Sequence, residues 1–191
     1  MKKILLIAAM ALVSSFGFAQ KFAHVNTTEL VQLCPEADQA RATMTAASQE
    51  AQDTYQAMVD EFQSKYQQYQ QKSSTWTATI KESKEKELTE IQQRIQEFSQ
   101  NVQVELQQQE QGLYAPIYEK VNNTIQDLAK KGGYIYVFET SSLLYVDASQ
   151  SVDITPEARK ILGVPEGRTL EDLQKEMVAQ QQAAAGAAAQ Q

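Results

Sequence analysis

The chain has 191 residues, with 24 acidic against 17 basic side chains, one histidine and one cysteine. A lone cysteine excludes an internal disulfide, and one histidine with one cysteine cannot furnish the common Cys/His zinc clusters. The formal net charge of −7 argues against nucleic acid as a natural partner.

The first residues read as a secretory signal peptide, assigned to 1–19. Lys2 and Lys3 form a basic start, "ILLIAAMALV" an apolar stretch too short for a stable bilayer span, and Gly17-Phe18-Ala19 the cleavage pattern ahead of Gln20. Cys34 lies well inside the mature chain, which argues against lipid attachment, and it suits a small buried hydrophobe. Cleavage leaves about 172 residues with a net charge near −9. No later apolar run approaches membrane-spanning length, so the expected product is soluble and exported.

Phe22-Ala23-His24-Val25 suits a strand, and "NTTELV" a capped helical turn. From Ala37 apolar residues recur at gaps of three and four through Met44, Met58, Phe62, Tyr66 and Tyr69, as one helix face requires. Pro35 suits the first turn of that helix. A second run goes from Leu88 through Ile91, Ile95, Phe98 and Val102 to Leu128. It ends at Lys130-Lys131-Gly132-Gly133, with cations and glycine where a helix stops.

Between the runs the poor helix formers of "KSSTWTATIKESKEKE" place a reversal near 73–84. Two arms of about forty-five residues follow, each roughly 60–70 Å long at 1.5 Å per residue. Each arm has only a narrow apolar seam, so an antiparallel coiled-coil hairpin is predicted; the alternative is one continuous rod dimerising in parallel. Gly112 to Pro116 is predicted to bend the second arm without ending it, because the apolar period resumes at Ile117.

After Gly133 the composition changes to "YIYVFETSSLLYVDASQSVDIT", enough for about two short strands. Two strands alone are marginal in water. A helical hairpin brings the chain back to its start, so these strands are expected to join the first one. "DITPEARKILG" suits a short helix with Thr155 as cap, and "PEGRTLEDLQKEM" another capped by Thr169. "VAQQQAAAGAAAQQ" is low in complexity and expected to be disordered or frayed. The predicted fold class is α+β and predominantly helical: a small β body with a long antiparallel helical hairpin. The expected domains are 20–35 with 132–164 as the body, 36–131 as the arm, and 165–191 as a C-terminal extension.

Phe22-Ala23-His24-Val25-Asn26 near the new N-terminus, Leu113-Tyr114-Ala115-Pro116-Ile117-Tyr118-Glu119-Lys120-Val121, and the closing run Tyr134-Ile135-Tyr136-Val137-Phe138, Leu144-Tyr145-Val146-Asp147 and Asp153-Ile154-Thr155 carry a resemblance. The chain resembles the Skp (OmpH-like) family of periplasmic chaperones from about Lys21 to Val164. The resemblance implies a homotrimer in which strands of three copies form one β body and three hairpins surround a cavity. There, unfolded outer-membrane proteins are held without ATP. It makes Phe22, Val25, Ile135, Val137, Leu144 and Val146 candidates for the oligomerisation body. Met58, Phe62, Tyr66, Tyr69 and Trp76 are candidate client contacts, with seam packing competing for each. The arms depart from the family pattern in being acidic, with about fifteen acidic and ten basic residues. No lipopolysaccharide or anionic-lipid site is therefore carried over.

An enzymatic reading finds no constellation. His24 sits in a predicted strand, where a structural role is the simpler reading, and Asp60-Glu61 and Glu171-Asp172 lie in solvated helical sequence. No phosphate-cradling glycine loop, cofactor or metal site is expected. The alternative function is an exported coiled-coil adaptor that tethers envelope components.

Overall fold

The computed structural model describes residues 21–188, so the predicted signal peptide lies outside the described residues. The elements are β1 (Lys21–Val25), α1 (Thr27–Leu33), α2 (Pro35–Lys72), a 3₁₀ turn (Ser73–Thr75), α3 (Ala78–Gly132), β2 (Tyr134–Glu139), a second 3₁₀ turn (Thr140–Ser142), β3 (Ser151–Asp153), α4 (Thr155–Leu162) and α5 (Leu170–Ala188). They divide into two compact units, one of residues 21–34 with 120–188 and one of residues 35–119.

The first unit is built on a three-stranded sheet of order β2-β1-β3. Both late strands join the first, and both run parallel to it: Phe22 lies opposite Tyr136 and Ser151, and His24 opposite Phe138 and Asp153. They flank β1 and do not pair with each other as a hairpin. Residues Leu143 to Val146, apolar and aromatic as they look, are in no strand; the second late strand is the shorter Ser151–Asp153. In the lone chain Leu144 and Val146 have no ladder neighbour, and sequence composition alone does not supply one.

Ala23 and Val25 face inward with Leu30, Leu33, Ala158 and Leu162, all buried. The polar atoms around that core are matched. The Asn26 side chain accepts from the Glu29 N–H at 3.0 Å and caps α1, while the Asn26 N–H donates to Thr155 Oγ1 at 3.0 Å. The Thr27 N–H, another orphan of the first turn, donates to Glu139 Oε2 at 3.0 Å. Arg159 bonds the Glu29 carboxylate and donates to the Arg168 carbonyl at 2.6 Å, so one guanidinium ties α1, α4 and the following loop. Helix α4 ends at Gly163, whose φ of 74° lets the Val164 N–H reach back to the Arg159 carbonyl at 2.9 Å. Cys34 is buried.

Thr169 starts α5 with a reciprocal cap, its Oγ1 accepting from the Asp172 N–H at 3.1 Å and its N–H donating to Asp172 Oδ2 at 3.1 Å. Leu173 is buried in this unit. Over the stretch expected to be disordered or frayed, α5 runs on as helix to Ala188. Alanine and glutamine are good helix formers, and low complexity here means one propensity repeated.

The second unit holds α2, the turn and the part of α3 up to Glu119. Its two helices run antiparallel, because cross-helix partners descend on one side as they ascend on the other. Lys65 bonds Glu87, and Glu61 meets Arg94 at 3.5 Å. The reversal is tighter than predicted, since α3 begins at Ala78. Thr77 stops the slack: its Oγ1 accepts from the Ile80 N–H at 3.4 Å and its carbonyl from the Lys81 N–H at 3.0 Å. From there "KESKEKE" is helical, helped by Lys84–Glu87 at 2.8 Å. Helix α3 continues through Gly112 and Pro116, with Ile117 buried immediately after.

Candidate functional site

Two surfaces have unusual chemistry, one in each unit. The first is the turn end of the helical hairpin. Trp76, the single tryptophan, follows the 3₁₀ turn and meets Tyr69 edge to face with ring centroids 5.8 Å apart. Phe62 stacks on Tyr66 at 6.0 Å. Met58, Phe62, Tyr69 and Trp76 are half-buried and Tyr66 is exposed, as are Tyr55 and Ile80. Of the five predicted contact residues, four therefore divide themselves between the helix seam and solvent. Ile91 is the one fully sealed large side chain on this stretch, at 2% exposure.

Polar bonds across the seam hold the aromatics in place. The Tyr69 hydroxyl donates to the Glu85 carboxylate, and that bond pushes the phenol's proton affinity up. Hydrogen bonds from Lys65 and then Lys84 hold the Glu87 carboxyl down at about 2, below the usual carboxylate range. Cations cluster here. Between Arg41 and Lys65, and again between Arg94 and Lys120, the sequence has no basic residue. Glu50, Asp53, Asp60, Glu97, Glu105 and Glu110 are all exposed on those stretches. Glutamines, not cations, contact several of them: Gln49 to Asp53, Gln56 to Asp60 and Gln93 to Glu97, each at 2.8 Å.

The second surface is the outer face of the sheet. Alternation along β1 sends Phe22 and His24 opposite to Ala23 and Val25, and the register adds Tyr136 and Phe138 from β2. The three aromatic rings form a cluster with centroids 6.0–6.4 Å apart. His24 Nδ1 lies 2.9 Å from Ser151 Oγ. Tyr136 is 62% exposed, Tyr145 81%, and Leu144 wholly so.

The predicted body residues divide between the two faces. Val25 is buried against the helices inside the unit, and Val137, half-buried, lies opposite Ala23 on the same side. Phe22 is on the outer face, Ile135 and Leu144 are exposed, and Val146 is half-buried. The sequence reading chose the aliphatic positions of "YIYVF", whereas Tyr136 and Phe138 are the residues on the outer face beside Phe22. A period of two does not say which half of a strand faces the core; only the register with Ala23 does.

The sequence model of the family described as "Outer membrane protein (OmpH-like)" matches residues 21–162. The chain belongs to the OmpH-like family. The chaperone protein Skp of Yersinia enterocolitica is 24% identical over 163 residues, spanning 84% of this chain and 98% of that protein. The crystal structure of an OmpH-like protein from Caulobacter crescentus superposes with a TM-score of 0.68 at 14% identity. It covers 79% of this chain and 89% of that one, a likeness of fold. The OmpH-like family is one of chaperones and not an enzyme class. No group of three His, Cys, Asp or Glu among the described residues is arranged to hold a metal ion. No helix among the described residues is long and apolar enough to cross a membrane.

Proposed function

We propose that the protein is an ATP-independent periplasmic holdase that keeps unfolded outer-membrane proteins from aggregating in a cavity between the helical arms of a homotrimer. In this reading residues 20–35 with 132–164 form the shared body and 36–131 the arm. The observation that carries it is the apolar surface a single copy leaves in water at Tyr136, Phe138, Leu144 and Tyr145, in a chain of this family. A patch of this kind marks an interaction surface, and sister copies are the economical cover for so small a core.

The arms supply the holding surface. Half-buried Met58, Phe62, Tyr69 and Trp76 and exposed Tyr66 offer many weak contacts to the alternating apolar residues of an unfolded barrel strand. Several weak contacts at high effective concentration hold tightly, yet each breaks easily, so release needs only a more favourable folding destination. The cation-free middle of the arms favours clients with basic segments over acidic ones.

The test is light scattering of a denatured porin diluted into buffer at about one trimer per porin chain. Suppressed aggregation supports the holdase. No suppression, with a single defined envelope protein bound instead, replaces it by the adaptor reading. Equal protection of acidic and basic clients across a salt series removes the charge preference alone.

A further inference from the structure

We propose that the exposed side of α3 between Gln92 and Tyr118 is a client-binding surface that grips the backbone of one extended strand, whatever its side chains. This rests on the holdase reading and adds where on the arm, and by which chemistry, a client is held. Gln92, Gln96, Gln100, Gln103, Gln107 and Gln111 recur at gaps of three and four, and Tyr114 and Tyr118 continue the series. At about 100° per residue that spacing keeps all eight within an arc of about 100°, as one column along the helix. The half-buried seam residues Ile95, Phe98, Val102 and Leu106 occupy a different arc.

All six glutamines are exposed, and Tyr118 is 57% exposed with its ring 6.4 Å from that of Tyr114. Among the described residues none of the six amides bonds another group of the chain, unlike their neighbour Gln93, which donates to Glu97. Glu110 is the one charged residue sharing the arc, at its edge. Beside the first three glutamines lies a shallow hollow of about 490 Å³, completed by Thr89, Gln93 and Glu97.

A helix face that serves only solubility is commonly charged. This column withholds charge and offers carboxamides instead, each with two N–H donors and a carbonyl acceptor. The partner that presents donors and acceptors at regular intervals, in every sequence and without charge, is a polypeptide backbone not yet paired. The lengths agree. Gln92 to Tyr118 spans about 39 Å at about 1.5 Å per residue, which about twelve residues cover at about 3.3 Å each when extended. A membrane-spanning barrel strand has about 9–11 residues. One helical turn advances about 5.4 Å and two extended residues about 6.6 Å, a mismatch that a glutamine's three rotatable bonds absorb. The tyrosine pair receives an apolar side chain at one end of the strand. The barrel's own ladder later claims the same N–H and C=O groups, so folding releases the strand.

The experiment is fluorescence anisotropy with the full chain and a dye-labelled, end-blocked peptide of eleven alternating valines and serines. Its twin is N-methylated at every second residue, which removes the N–H donors of one edge and leaves the side chains. Each net hydrogen bond carries a few-fold in affinity, so wild type should bind the twin at least about tenfold more weakly. The fourfold variant Gln92→Ala, Gln96→Ala, Gln100→Ala, Gln103→Ala, at exposed sites and with a better helix former, should bind both peptides alike. Tyr118→Ala should weaken both by one factor and keep their difference. Equal binding of peptide and twin by wild type overturns the backbone grip. A fourfold variant that keeps the difference also overturns it, since the grip is then elsewhere. Wild type that binds neither peptide, yet still keeps a denatured porin from scattering light, overturns the inference and leaves the holdase standing. Loss of porin protection as well ends both. A wild type that sediments as an oligomer, beside a fourfold variant that sediments as separate copies, gives the column to a sister chain and overturns the inference. Should the fourfold variant not fold, Gln96→Ala with Gln100→Ala decides in its place, with the difference cut to about threefold or less.

Discussion

Replacing Ile91 by alanine tests whether the two helices of the second unit are held by their seam. Ile91 is 2% exposed and sits between two cross-helix bonds, Lys65–Glu87 and Glu61–Arg94. The change removes three carbons, worth about 2.4 kcal/mol at about 0.8 kcal/mol per buried methylene, with a further cost for the space left behind. A two-helix seam bordered by half-buried Leu88 and Ile95 relaxes more readily than a deep core, so the expected loss is about 2–3 kcal/mol, the lower part of the range for such changes. Trp76 lies in the same unit and is the single tryptophan, so its fluorescence during urea unfolding reports this hairpin. With a urea slope of about 1–3 kcal/mol per molar, the midpoint should fall by roughly 1–2 M at fixed protein concentration. Ile80→Ala is the control, because Ile80 is already 44% exposed and should cost less than about 1 kcal/mol. If the two variants unfold at the same urea concentration, the seam is not what pairs the helices.

Thr155→Val, close in shape, leaves the part-buried Asn26 N–H without its acceptor and should destabilise by about 1–2 kcal/mol in thermal unfolding, whereas Thr155→Ser should lose less. Gly163→Ala should cost about 1–2 kcal/mol by the same measurement, because φ of 74° strains any residue with a Cβ. Glu87 has a folded proton affinity below its unfolded one, so its contribution is present above about pH 4.5 and lost as pH falls through about 2. In low salt, Glu87→Gln should therefore lower the Trp76 unfolding midpoint slightly at pH 6, by an amount reduced by solvent screening, and the difference should shrink towards nothing as pH falls through about 2.

The long helices were legible because their signals are local. Gaps of three and four between apolar residues, the Lys130-Lys131-Gly132-Gly133 ending, and the caps at Asn26 and Thr169 each act within a turn or two of chain. The sheet was legible only as material for strands. Which side of "YIYVF" turns inward depends on pairing with Ala23, and the three residues of β3 are too few to carry a pattern. Leu144 looked like a strand residue because its composition says so, but the structure places it in no strand. The aromatic outer face followed from no single segment, since β1 and β2 build it together with His24 and Ser151, 127 positions apart. The aromatic residues near Trp76 were legible by spacing, and their division between seam and solvent was not.

The place of β1 in the middle of the sheet has a consequence for how the protein is born. It is made early, yet both its neighbours come from far downstream; even the Thr27–Glu139 bond beside it spans 112 positions. The helices need only nearby residues and fold as they emerge, while the sheet waits for one very large loop to close, the slow kind of step. For most of its synthesis the nascent chain therefore carries an orphan strand, and is itself a polypeptide in need of shelter.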